Sequence, residues 1–172
     1  MTRVTGITVI TGPQAAGKTT VGRLLASRSA RGVHLEGDVF RRSVVAGRAE
    51  MTPEPSDEAL MQLRLRYRIS ALAADTYADA RFDVVVEDVV AGPLLEEYVA
   101  LFRTRPIRVV ALLPTADVVA ARAAGREISG YVGWTVAGLH RLFADETPRI
   151  GTWLDTSEQT PEETVEAILA GR

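Results

Sequence analysis

The segment Gly12-Pro13-Gln14-Ala15-Ala16-Gly17-Lys18-Thr19 matches the phosphate-binding pattern G-x-x-x-x-G-K-[ST] at every fixed position. Its flanks narrow the architecture further. Ile7, Val9 and Ile10 form an apolar strand before it, and Val21, Leu24 and Leu25 set a helical stripe after it. In that context a glycine-rich turn aims successive backbone N–H groups inward. With the helix N-terminus behind them, these groups form a socket for a polyphosphate.

The chain has 20 basic residues, and Lys18 is the only lysine among them. A compact ammonium on a flexible stem suits a phosphate cradle, where the planar fork of arginine is wider and differently aimed. The pattern expects Lys18 to reach the β and γ phosphates and the Thr19 hydroxyl to bind Mg²⁺. The expected nucleotide-binding set is therefore Gly12, Pro13, Gln14, Ala15, Ala16, Gly17, Lys18, Thr19 and Thr20. Because the chain has no asparagine and its lysine is already used, the guanine-reading Asn-Lys-x-Asp sequence of GTPases is excluded.

At 172 residues the chain has the length of one domain with a full core, read here as residues 1–172. Strand and helix signals alternate throughout. The expected strands are Val4 to Thr11, Gly32 to Glu36, Phe82 to Glu87, Ile107 to Leu113 and Ile150 to Asp155. Three of these contain nearly continuous apolar runs, as in strands buried on both faces. This predicts an α/β fold: a five-stranded parallel sheet with helices on both faces and a short lid.

Residues 39–80 read as an insertion that shapes the acceptor site. Its latter half, Asp57 to Ala80, is expected to be a helix capped by Ser56, with Leu60, Leu63, Tyr67, Ala71, Ala74 and Ala78 on one stripe. Further helices are expected at Leu94 to Arg103, Ala116 to Arg126 and Thr135 to Ala144. A last one begins with Thr160 as N-cap, Pro161 at its first position and Glu163 closing a capping box.

Ligands of open α/β sheets gather outside the carboxyl ends of the strands, which here carry acids. Asp38 either accepts the proton of an attacking hydroxyl or caps the helix starting at Val39. Glu36 lies two residues earlier on the same side; it either holds Mg²⁺ through water or ends a strand. Of Glu87 and Asp88, which point to opposite faces, Asp88 is the expected metal-supporting acid, with Glu87 in reserve. Arg122 and Arg126 are four apart on one helical face, before a segment (about 126–134) with lid composition. There they either stabilise a transferring phosphoryl group or face solvent. Arg41 and Arg42 either clamp a substrate or face water, as does Arg48. Arg64, Arg66 and Arg68 receive no role, and His34 and His140 read as structural.

The formal net charge of −2 and the lack of a basic run argue against nucleic acid as a partner. No apolar stretch approaches the ~18 residues of a membrane span, and no signal peptide is recognisable. With no cysteine, disulfides and thiolate metal sites are excluded. A cytoplasmic location is expected, as a monomer or homodimer.

With the loop, the Glu-x-Asp strand end, the acidic third strand end and the lid arginine, the chain resembles the small phosphate-loop kinases related to shikimate and gluconate kinase. Within them it is most similar to the chloramphenicol phosphotransferases. The resemblance implies ATP and Mg²⁺ as donor and cofactor and a small-molecule hydroxyl as acceptor. It also implies Asp38 as base, since Gly37-Asp38 matches the Gly-Asp end of that family's Gly-x-Asp segment. Glu36 is implied as an acid assisting the metal. Leu154 to Ser157, followed by Thr160 to Glu163, is similar to the last strand and helix of these kinases, near which adenine packs. The glycine triplet of shikimate kinases is absent, which argues against shikimate. A nucleoside, nucleotide or polynucleotide-end kinase is the alternative on the same scaffold, and a regulatory nucleotide switch the alternative from another class.

Overall fold

The computed structural model describes residues 6–124 and 130–171. Five strands, β1 (Ile7–Thr11), β2 (Gly32–Glu36), β3 (Asp83–Glu87), β4 (Ile107–Leu112) and β5 (Thr152–Leu154), pair in the order β2-β3-β1-β4-β5. Every pairing is parallel. The helices are α1 (Lys18–Ser27), α2 (Asp38–Arg42), α3 (Asp57–Asp79), α4 (Leu94–Leu101), α5 (Ala116–Ala123), α6 (Val136–Arg141) and α7 (Pro161–Leu169).

Alternation along the central strands divides the core between two faces. Ile7, Val9, Val84 and Val86 pack with Leu63, Tyr67, Ala71, Leu95 and Tyr98 of α3 and α4. Ile10, Val85 and Val110 pack instead with Val21 and Leu25 of α1 and Val165 and Ile168 of α7. Both faces are therefore apolar, which is why these strands read as continuous hydrophobic runs. A smaller cluster of Val89, Tyr131, Leu139 and Phe143 closes the carboxyl edge.

The sequence-expected strands all form, with ends trimmed by up to two residues where described; Val4 and Thr5 lie outside the described residues. Ser56 caps α3 by accepting from the Ala59 N–H, and the capping box at Thr160 and Glu163 is complete. Helix α4 stops two residues before Arg103 because the Asp75 carboxylate accepts the Arg103 and Thr104 backbone N–H groups, each at 2.9 Å. The helix expected from Thr135 to Ala144 has Thr135 as its N-cap and widens into a π-helical turn over Leu142–Glu146. That turn ends on Thr147, whose hydroxyl donates to the Leu142 carbonyl and accepts from the Gly92 N–H. Helix α5 is described to Ala123, and Arg126 lies outside the described residues.

Candidate active site

Beyond β1 the chain turns through a loop whose backbone departs from ordinary helix or strand. Gly12 has φ 147, and a Cβ there would run into the Leu112 carbonyl oxygen of the neighbouring strand. Ala15 and Gly17 also have positive φ, at 62 and 96, and Gly17 caps α1 with open space where a side chain would begin. The loop thus keeps an unobstructed N-terminal cradle that fits a phosphate group.

Lys18, the first residue of α1, is buried and donates from Nζ to the Pro13 carbonyl at 2.9 Å. Burial lowers its pKa to about 8; Glu87 opposes the shift, Arg66 adds to it and Asp38 opposes it. Between about pH 8 and the ordinary lysine value of 10.5, the unfolded chain carries a proton that the folded chain lacks, so the unliganded fold gains stability as pH rises. A polyphosphate in the cradle reverses the preference, because it favours the ammonium. ATP binding at pH 9 is expected to take up a proton, and affinity to fall toward about tenfold per pH unit above pH 8. Titration calorimetry in two buffers of different ionisation enthalpy checks this; identical heats would show that Lys18 is already charged.

The acids at the strand ends separate by face. The Thr19 hydroxyl donates to Glu87 Oε1 at 2.7 Å. Asp88, the next residue, points away and has a fully buried side chain, held in two places by the buried Arg66 of α3. Arg66 Nε donates to Asp88 Oδ2 at 2.7 Å, its Nη2 reaches Oδ1, and the Val89 N–H adds 2.7 Å to the same oxygen. Gly37 makes room for this pair, since a Cβ there would collide with the Asp88 carboxylate. The Val89 carbonyl accepts from both Tyr67 and Tyr131 hydroxyls at 3.0 Å, which fixes the chain immediately after Asp88.

Asp38 is the first residue of α2, with Gly37 as N-cap and no side-chain capping bond. The expectation that Asp38 caps a helix from Val39 is corrected by its partners. Arg41 Nε donates to it at 2.6 Å, Arg42 at 2.9 Å, and Arg66 Nη1 lies 3.8 Å away. Burial pushes the Asp38 carboxyl up, but the hydrogen bond and charge of Arg41, joined by Arg66 and Arg42, hold it below the ordinary aspartate value. Arg41 also donates to Glu50 at 2.6 Å, and Glu50 accepts from Arg48 at 2.9 Å.

Lys18, Thr19, Glu36, Asp38, Arg42, Arg66, Glu87 and Asp88 line one cavity of about 480 Å³. Glu36 lines its rim, 3.4 Å from Arg23 and 3.9 Å from His34. A second cavity of about 290 Å³ lies on the other side of the loop, among Ala15, Gly17, Thr20, Arg122, Thr156 and Gln159. Arg122 donates there to the Thr156 carbonyl at 3.1 Å, away from Asp38. His140 is bonded to the Pro114 carbonyl at 2.9 Å.

Among the described residues no group of three or more His, Cys, Asp or Glu side chains could hold a metal alone. The donors that do meet, the Thr19 hydroxyl and the Glu87 carboxylate, fit Mg²⁺. That ion takes one or two protein oxygens and completes its shell with phosphate and water.

Arg66 is the site residue that sequence reasoning passed over. Alternation with Leu65 and Tyr67 made it look like one of three arginines spread around a helix. Its signal was present: it lies three residues after Leu63 and four before the buried Ser70, on the face that packs against the sheet.

A parallel sheet in the order 2-3-1-4-5, with a phosphate loop after its central strand, defines a phosphate-loop nucleotide-binding domain of the small kinase fold. A family model described as AAA domain matches residues 7–138, more than half of the chain, and the protein belongs to that family. The sequence matches no protein of curated function.

Solved structures share the fold at low identity. A sugar kinase from Janibacter sp. HTCC2649 is similar with a TM-score of 0.68 at 20% identity, covering 97% of this chain and 94% of that one. A gluconokinase from Sinorhizobium meliloti 1021 gives 0.64 at 21%, covering 98% and 92%. A shikimate kinase from Acinetobacter baumannii, in complex with shikimate, gives 0.61 at 17%, covering 98% and 92%. Among the described residues no helix is long and apolar enough to cross a membrane.

Proposed function

We propose that the protein is an ATP-dependent phosphotransferase acting on the hydroxyl of a small molecule. The observation that carries this reading is one cavity lined by Lys18 and Thr19 of the phosphate loop together with Glu87 and Asp38. The kinase structures that share the fold support it.

In this reading the loop amides and Lys18 grip the ATP phosphates, and Thr19 with Glu87 would hold Mg²⁺. Glu87 replaces Asp88 as the metal-supporting acid, since Asp88 is committed to Arg66. When bound, the ion neutralises charge on the phosphates. The Arg122 cavity takes the base end of the nucleotide. Asp38 accepts a hydrogen bond from the acceptor hydroxyl and receives its proton as the new O–P bond forms and the bond to the leaving ADP breaks. Its depressed pKa makes it a weak base in the resting site, which fits a loose transition state where the proton leaves late. The need for ATP and the lack of cysteine favour a cytoplasmic setting.

The test is Asp38→Asn combined with an ADP-release screen over sugars, hydroxylated metabolites, antibiotics and nucleosides. ATP affinity is expected to stay within a few-fold of wild type, while transfer falls by about 10²–10⁴. Transfer near the wild-type rate would remove Asp38 as the base.

A further inference from the structure

The arginines around Asp38 look like a clamp for an anionic acceptor, yet each is already paired with a carboxylate. Arg66 is committed to Asp88, Arg41 bridges Asp38 and Glu50, and Arg42 donates to Asp38. With Arg48 on Glu50, four arginines share three acids, Asp38, Glu50 and Asp88; the surplus charge falls on the exposed Arg42 and Arg48, while the Arg41 and Arg66 side chains are paired and only 11% and 7% exposed. To reach the buried Arg41 or Arg66, an anionic group would have to displace an internal carboxylate and leave it poorly solvated beside the new charge. A neutral molecule meets no such penalty.

Arg41 and Arg66 also line a pocket of about 60 Å³ whose wall includes Phe40, Val44, Met51, Leu65 and Ile69. Arg66 borders both this pocket and the Asp38 cavity. Its volume admits a group of a few heavy atoms, and its apolar lining favours a hydrocarbon one.

Building on the kinase reading, we propose that the acceptor is an uncharged hydroxyl compound with a small apolar substituent, its hydroxyl on Asp38 and its substituent in the pocket between α2 and α3. The arginines then serve to position Asp38 and Asp88 rather than to bind an acid.

The experiment measures kcat/KM for ATP-dependent transfer with matched acceptors: a hexose and its aldonic acid, a nucleoside and its 5′-monophosphate, a free sugar and its isopropyl glycoside. The neutral member of each charged pair, and the isopropyl member of the third, is expected to be preferred by about tenfold or more. Glu50→Gln removes one of the acids held by Arg41 and is expected to narrow the neutral-to-anionic ratio several-fold. Preference for the anionic members, an unchanged ratio in Glu50→Gln, or indifference to the isopropyl group each overturns the inference, while the observed transfer leaves the kinase reading standing. ATP binding with no transfer to any compound overturns the kinase reading itself, and the inference with it.

Discussion

Lys18→Ala is expected to reduce transfer by about 10³-fold or more, because it removes the one ammonium in a site where preorganised charge does most of the work. Its burial makes the effect larger than at a surface position. The chain keeps this cation desolvated at a pKa near 8, and the charge gains its full value only against phosphate. Folding is expected to survive, since the ammonium contributes one hydrogen bond, to the Pro13 carbonyl, and its desolvation opposes the fold. Lys18→Arg is the sharper comparison. It retains charge but puts a planar fork where the loop accommodates a narrow stem, and activity is expected to stay far below wild type. Steady-state kinetics with a melting curve on each variant checks both; near-normal turnover in Lys18→Ala would place the phosphate grip elsewhere.

Arg66→Met is expected to be the most destabilising single change in the site. It strands the Asp88 carboxylate, whose side chain has no exposed surface, with the Val89 N–H as its remaining donor. Breaking a buried ion pair from one side costs about 3–5 kcal/mol. For a chain of this length that corresponds to a melting-temperature drop of roughly 6–20 °C. Because the loss is an uncompensated charge rather than a lost attraction, Arg66→Met combined with Asp88→Asn is expected to recover much of it. A thermal-melt double-mutant cycle decides the matter. A single-variant loss below about 1 kcal/mol, or no recovery in the double variant, would show that the pair does not hold the site together.

How well each part of the site could be read from the chain follows from how locally it is encoded. The phosphate loop, the Ser56 cap and the Thr160 box depend on residues within a few positions of one another, so spacing alone identifies them. The strands were legible because burial on both faces leaves uninterrupted apolar runs. The break between α6 and the π-helical turn was not, since Thr147 closes it against Gly92, 55 residues away. The partners of the two acids at the end of β3 are hidden from the sequence for a similar reason. Glu87 and Asp88 are equivalent as a sequence pair, and only the arrival of Thr19 on one side and Arg66 on the other distinguishes them. The lid reading of Arg126 lies outside the described residues, and Arg122 sits with Thr156 rather than at Asp38.

By itself, then, the sequence determined a parallel α/β sheet and a phosphate cradle with Lys18 in it, because backbone conformation and helix polarity are local consequences of glycine spacing and apolar periodicity. The tertiary structure alone decided which charges cancel. Arg66 meets Asp88 across 22 residues and Arg41 meets Glu50 across nine. Coulomb energy depends on distance and burial, and neither is set until the insertion folds back onto the ends of the strands.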